Sequence, residues 1–164
     1  MEADKIHLDD IAHALSNSCR FSGHCKWHYS VAQHSILVSV FAEKMDKKAA
    51  LAGLLHDAAE AYLLDIPKPL KDQVEMKPYR NAENKMMKMI FDKYNVTFNK
   101  DVMEIVKKSD RLALQVEINN LMPTHEGFEY LGETDLRHTI KKMYPEEAEK
   151  LFKERFFKVI KYER

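Results

Sequence analysis

Apolar residues recur at helical spacing along almost the whole sequence, and this periodicity limits the fold more than any other feature. Steps of three and four residues separate Leu8, Ile11, Ala12 and Leu15, for example. The chain of 164 residues has only four glycines, and alternation of apolar and polar residues never lasts long enough to predict a strand. We therefore predict a compact all-α bundle, and this length fits a single domain over residues 1–164.

Local signals place most of the helices. Ser30 and Gln33 have the spacing of a capping box, which predicts a helix opening at Ser30. Asp46 is a plausible N-cap for a third helix whose apolar stripe continues without a break to Tyr62. The segment "LLDIPKPLKDQ" interrupts the pattern because proline disfavours a helix interior. Further helices are predicted over 79–94 and 99–122, then a short one after the polar loop "THEGFEYLGETD" and a last one after Pro145.

Composition excludes several classes of protein. The 26 basic and 26 acidic residues cancel, so no general attraction to nucleic acid is expected. No apolar run reaches the roughly 18–20 residues of a membrane span, and the start "MEADKIHLDD" is unlike a signal peptide. We expect a cytoplasmic protein. Cys19 and Cys25 are expected to be reduced packing residues, with a zinc site shared with His24 and His28 as the alternative.

Ionisable residues stand at helical spacing inside segments that otherwise resemble buried core. His34 falls within an apolar stripe, and Glu60 lies four residues after His56 and three after Asp57, so one helical turn groups these three side chains. Asp110 lies at the edge of another buried face. Taken singly, an inward histidine is commonly a hydrogen-bonded core residue, and Glu60 can be a solvated helix residue. Together they would require several costly buried ion pairs, which one divalent ion (Mn²⁺, Co²⁺, Fe²⁺, Mg²⁺ or Zn²⁺) would satisfy.

The same residues match a known signature. His34, His56-Asp57 and Asp110 resemble the H…HD…D pattern of the HD-domain phosphohydrolases, an all-helical superfamily. The segments "SVAQHS", "LLHDAAEAYLLDIPKPLK" and "VKKSDRL" resemble three motifs of its compact nucleotide-hydrolysing branch, and the likeness covers roughly residues 8–122. "LDDIAHALSNSCRFSGH" followed by "YSVAQHS" is most similar to phage-type deoxynucleoside triphosphate triphosphohydrolases, including those that act on dATP.

The resemblance implies a role for each matching residue. His34, His56, Asp57 and Asp110 would hold the metal, and Glu60 matches the catalytic glutamate of an HDxxE pattern. Asp65 matches an aspartate that positions the leaving group or supports a second ion. Arg20 matches an arginine that contacts substrate phosphate or sugar, and its planar fork suits phosphate oxygens.

Other residues are candidates for substrate binding by their chemistry alone. Lys68, Lys71, Arg80 and Lys107 are further cations for phosphate, although any single lysine is usually just solvated. Phe21 and Trp27 offer aromatic faces for a nucleobase, or are core residues. Phe21 stands where related nucleotidases often have tryptophan, which leaves base preference open.

The expected function is metal-dependent hydrolysis of free deoxynucleotides, with triphosphates favoured and release of deoxynucleoside and triphosphate. A 5′-deoxynucleotidase acting on monophosphates and a non-catalytic nucleotide-binding HD domain are the alternatives. The implied partner is a small nucleotide, with no nucleic acid and no membrane. Assembly into homo-oligomers occurs among relatives, and the location would be the host cytoplasm for a phage-encoded chain.

Overall fold

The computed structural model describes residues 3–123 and 139–163, and within them the chain is all-α, as predicted. The described part contains no strand, only an isolated bridge between Cys19 and Ser30. The helices are α1 Leu8–Asn17, α2 Val31–Met45, α3 Ala49–Leu55, α4 Glu60–Leu63, α5 Lys68–Lys71, α6 Lys77–Tyr94, α7 Lys100–Leu121 and α8 Pro145–Val159. No helix in these ranges is long and apolar enough to cross a bilayer.

Three mutually packed helices form the framework of the candidate site. α2 packs against α3 and α7, and α3 also packs against α7. Gly53 permits the close approach of α3 to α2, because a Cβ atom there would lie 3.2 Å from the Cβ of Ala42 and 3.2 Å from the Cα of Ser39. α8 is tied to α2 by Arg155, which donates hydrogen bonds to Ser39 and to Glu43.

Side-chain capping bonds are present at the start of both α2 and α3, although α3 begins later than the sequence predicts. Ser30 Oγ accepts from the backbone N of Gln33 at 3.2 Å, and Gln33 Oε1 accepts from the backbone N of Ser30 at 3.1 Å, so the capping box is confirmed. Asp46 is the predicted N-cap of the third helix, and it has the extended backbone and the capping bond of such a residue: its Oδ1 accepts from the backbone N of Lys48 at 2.9 Å. The α-helix itself starts only at Ala49, because the first bond, from Ala49 N to Asp46 O at 3.0 Å, joins residues three apart.

The third helix is also shorter than the apolar stripe predicts. It ends at Leu55, and the chain turns through 56–59 before α4 begins at Glu60. Backbone hydrogen bonds across this turn join residues three apart, as from Glu60 N to Asp57 O at 2.9 Å, which is the tighter 3₁₀ pattern. His56 and Asp57 therefore lie in this turn rather than inside α3.

Elsewhere the predicted helices are confirmed to within a few residues. α6 and α7 match the predicted ranges, and Asn99 caps α7 by accepting from the backbone N of Val102 at 2.9 Å. The helical pattern is interrupted before Pro67 as expected, and Pro69 lies in the first turn of the short helix α5. The polar loop before the predicted short helix lies outside the described residues, and 139–144 are not helical.

Candidate metal centre

His34 is held in one tautomer by a buried carboxylate. The ring lies on α2, is almost fully buried, and its Nδ1 is 2.6 Å from Oε1 of Glu117. Because an ionised carboxylate only accepts hydrogen bonds, Nδ1 carries the proton. The lone pair of His34 is then on Nε2, the atom that faces the other candidate ligands.

His56 is fixed in the same way by a backbone carbonyl. It follows the last residue of α3, and its Nδ1 donates to the carbonyl oxygen of Gly53 at 2.8 Å. Where α3 ends, that carbonyl is free to accept from a side chain. When His56 is neutral, its lone pair is therefore on Nε2 as well.

The free ligand atoms converge on one point. His34 Nε2 lies 3.3 Å from His56 Nε2, and Asp57 Oδ2 lies 3.1 Å from the latter and 3.6 Å from the former. All three ligand atoms are within 4.8 Å of one another, a spacing that can hold a metal ion. Asp110 Oδ1 lies 3.2 Å from His34 Nε2 at the more exposed edge of the group. The four predicted ligands are therefore brought together, with Asp110 outside the tightest set.

Positive charge is favoured at this point. Burial alone would lower the pKa of His56, but Asp57 and Asp110 outweigh it and raise that pKa to about 9. Burial and the nearby Arg20 also oppose charge on His34, yet Glu117 and Asp110 raise its pKa above the usual value. Two imidazole nitrogens facing each other beside carboxylates fit a divalent cation of the borderline class.

Glu117 is a candidate functional residue that the sequence pattern does not single out. Its side chain is fully buried on α7, and besides His34 it accepts from Tyr29 Oη at 3.0 Å and from Arg20 Nη2 at 2.9 Å. Such an outer carboxylate sets ring orientation and raises the basicity of a metal-bound histidine. The available signal was its spacing, seven residues after Asp110 and thus two turns along the same face.

Glu60 is buried close to the proposed ligands. Burial, followed by Asp57 and Asp65, raises the pKa of Glu60 to about 8, although Lys71 acts in the opposite direction. Lys71 Nζ is 3.3 Å from Oε1, and within the described residues Oε2 has no hydrogen-bond partner. A carboxyl group with a pKa near neutrality is suited to proton transfer.

A pocket of about 630 Å³ opens beside these residues. This volume is within the range of roughly 300–1,000 Å³ typical of small-molecule sites. Of the predicted site residues, His56, Asp57, Glu60 and Lys71 line it. The other predicted substrate-binding residues are not in its lining.

Most of the predicted phosphate-binding cations already have partners. Arg20 pairs with Glu117, as described above, and that buried charge holds the pKa of Arg20 above its usual value despite the opposing cost of burial. Lys71 also binds Glu83 at 2.7 Å, and Arg80 donates to the backbone carbonyl oxygens of Lys71 and Gln73. Lys68 is exposed and pairs with Asp72 one turn further on, and Lys107 is exposed on α7.

The two aromatic candidates lie on the segment between Arg20 and α2. Phe21 places its ring 5.2 Å from the guanidinium carbon of Arg20. Phe21 and Ser22 both have left-handed backbone angles, with φ of 53° and 51°, a conformation that costs a bulky residue free energy and often occurs at ligand sites. Trp27 is half-buried, and its Nε1 is a buried atom without a partner in the described residues.

The alternative zinc site at the cysteines has no support in the described residues. Both thiols are free, and burial and the neighbouring Cys19 raise the pKa of Cys25 to about 11. His28 Nε2 lies 3.3 Å from the backbone oxygen of Ser16. Over residues 3–123 and 139–163, the group with metal-binding geometry is that of His34, His56 and Asp57.

Comparison with known proteins places the chain in a family. No model of a known protein family matches the sequence. It is 36% identical over 158 residues to the uncharacterized protein YfdR of Escherichia coli K12, covering 93% of this chain and 84% of YfdR. The chain belongs to the family of YfdR. An uncharacterized protein of Rhodobacter capsulatus is 28% identical over 124 residues, which are 71% of this chain and 63% of that protein.

Proposed function

We propose that this chain is a divalent-metal-dependent phosphohydrolase of free deoxynucleotides. The observation that carries the proposal is the convergence of His34 Nε2, His56 Nε2 and Asp57 Oδ2, with each imidazole donating its Nδ1 proton to a fixed acceptor. Glu60 lines a pocket at the same place. The resemblance to HD-domain phosphohydrolases supports the same chemistry.

Each residue has a role in this reaction. The ion, when bound, would lower the pKa of a coordinated water to about 7 and polarise a phosphoryl oxygen. In its ionised form Glu60 would take a proton from the attacking water as the water oxygen bonds to phosphorus. The bond from phosphorus to the leaving oxygen would then break, and the leaving oxygen would receive a proton from Glu60 or from solvent. Asp65, whose charge acts on Glu60, would help to position the leaving group.

The charges around the pocket bear on the length of the phosphate chain. The sequence favours triphosphates, which need several unpaired cations. In the described part of the chain, however, Lys71 is shared by Glu60 and Glu83, and Arg20 is bound to Glu117. A monophosphate carries less charge to neutralise. This observation favours 5′-deoxynucleotidase activity as the second candidate.

A panel of nucleoside mono-, di- and triphosphates with Co²⁺, Mn²⁺, Mg²⁺ and Zn²⁺ tests the proposal, with products identified by chromatography. Triphosphate plus deoxynucleoside supports the first candidate, and orthophosphate from monophosphates supports the second. Binding without turnover under all conditions would instead indicate a non-catalytic nucleotide-binding domain.

A matched pair of variants tests the role of Glu60. Glu60→Gln is expected to lower kcat by at least about 10²-fold, the scale of an acid–base residue. Glu83→Gln removes the other carboxylate bound to Lys71 and is expected to lower kcat much less. Equal effects of the two variants would show that Glu60 acts only as a partner of Lys71.

A further inference from the structure

The pocket beside the candidate metal centre has two chemically different ends. One end contains His56, Asp57, Glu60 and Lys71. The other end is mostly apolar, with Met87, Phe91, Val96, Phe98 and Met103 in its lining beside the ion pair of Lys88 and Asp92. The two ends belong to one cavity, so a single ligand can contact both.

Helix α6 sets the separation of these ends. Glu83, Met87 and Phe91 follow one another at four-residue steps along the pocket wall. Glu83 binds Lys71, and Met87 Sδ accepts from the backbone N of Ala59 at 3.3 Å. At 1.5 Å per residue, Phe91 is about 6 Å beyond Met87 and about 12 Å beyond Glu83. This distance suits a ligand with a phosphate at one end and a ring at the other.

Phe98 is the unusual residue at the apolar end. Its side chain is 70% exposed although it lines the pocket. Among the described residues its only aromatic contact is edge-on to buried Phe91, with the ring centroids 5.8 Å apart. An exposed phenylalanine is costly to leave in water, and its free face can stack on a flat ring.

We propose that Phe98 and Phe91 form the binding site for the nucleobase of a nucleotide whose phosphate lies at His56 and Asp57. The inference rests on the proposed function for the identity of the ligand. It places the base at α6 rather than at Phe21 and Trp27. Asn84, Lys88 and Asp92 on the same wall supply polar groups within the cavity for the edge of the base.

Binding of uncharged deoxynucleosides tests this site without requiring hydrolysis or metal. The four common deoxynucleosides are titrated into the wild-type protein and the Phe98→Ala variant, and binding is followed by NMR. We expect the Kd of the variant to be roughly 5- to 100-fold higher than that of the wild-type protein, the range for loss of one base–aromatic stack. The matched control is Phe157→Ala. Phe157 is 60% exposed and meets Phe156 edge-on at 5.6 Å, but it lies on α8 outside this pocket.

The outcomes separate this inference from the proposed function. Weaker nucleoside binding in Phe98→Ala alone supports the base site, even if the wild-type protein hydrolyses nothing. Equal binding by both variants, or no binding by the wild-type protein, overturns it, whereas nucleotide hydrolysis would still support the phosphohydrolase. A second copy of the chain is the alternative occupant of this surface, and sedimentation of the same samples tests for it. If a dimer is lost only in Phe98→Ala while nucleoside binding is unchanged, Phe98 contacts a second copy of the chain and the base site is overturned.

Discussion

Replacement of Glu117 by glutamine is the most incisive test of how the candidate metal centre is built. In the native protein Oε1 of Glu117 accepts from His34 Nδ1 and Tyr29 Oη, and Oε2 accepts from Arg20 Nη2. Glutamine has one accepting oxygen and one donating NH₂ group. It can therefore satisfy His34 or Arg20, but not both.

Each orientation of the new amide has a cost. If its oxygen faces Arg20, its NH₂ group faces His34 Nδ1, which must then accept, so the proton moves to Nε2 and blocks metal binding. If its oxygen faces His34, its NH₂ group faces the guanidinium of Arg20, and both of these groups are hydrogen-bond donors. We expect metal affinity to fall about 10- to 100-fold, as for loss of an outer-sphere partner. The uncompensated guanidinium, which keeps 14% of its surface exposed, is expected to lower the free energy of unfolding by about 2–3 kcal/mol, somewhat less than for a fully buried pair.

A second substitution distinguishes these two effects. In Glu117→Gln/Arg20→Met the competing donor is gone, so the amide oxygen can face His34 and metal affinity should recover most of its loss. Titration calorimetry with Co²⁺ and Mn²⁺ measures affinity, and circular dichroism measures a melting temperature expected to fall roughly 5–10 °C in Glu117→Gln. Tyr29→Phe is the control, because it removes an uncharged donor from the same carboxylate. Native metal affinity in Glu117→Gln, or no recovery in the double variant, would refute the tautomer argument.

Three further predictions concern the framework around the site. Gly53→Ala should lower the free energy of unfolding in urea by about 1–2 kcal/mol because overpacking against α2 exceeds the helix-propensity gain; a more stable variant would contradict this. Burial would raise the pKa of Glu43, but hydrogen bonds from Tyr162 and Arg155 lower it to about 2. Ionised Glu43 therefore stabilises the folded protein above pH 4.5, and this contribution is lost as the pH falls toward 2. In Glu43→Gln the free energy of unfolding should fall by about 1 kcal/mol less between these pH values than in the wild-type protein, measured by denaturation at several pH values. Ser30→Ala should cost about 1 kcal/mol by loss of the α2 cap, measured by thermal unfolding, and no change would argue against the cap.

The helices were predictable because their signals are local. The stripe of α1 and the capping box at Ser30 involve residues three or four apart, and the structure confirms both. The break after Leu55 was not predictable from the same signals, because the apolar stripe runs through it. What marks the break is a side chain, since His56 Nδ1 donates to the Gly53 carbonyl. Periodicity carries no information about such competition for a backbone group.

The proposed metal ligands were predictable from the sequence, whereas the residues that hold them in place were not. His34, His56 and Asp57 were predictable because ionisable groups on inward faces need a common partner. Glu117 was overlooked because glutamate at the surface is the ordinary case, and its partners Arg20 and Tyr29 are distant in sequence. Residue type and resemblance predict that Arg20 binds phosphate, but neither shows that Nη2 of Arg20 already donates a hydrogen bond to Glu117.

The two histidines donate to acceptors of unequal strength, and the candidate site is open to the pocket on only one side. Glu117, a charged acceptor, makes His34 the more electron-rich imidazole, whereas His56 donates to a neutral carbonyl. The stronger support lies on the closed side, where His34 and Glu117 are inaccessible to solvent. His56 and Asp57 instead reach the pocket, next to Glu60. If the proposed function holds, a phosphoryl group that enters from the pocket would meet a bound ion on its open side, beside the carboxyl group of Glu60, whose pKa burial raises to about 8.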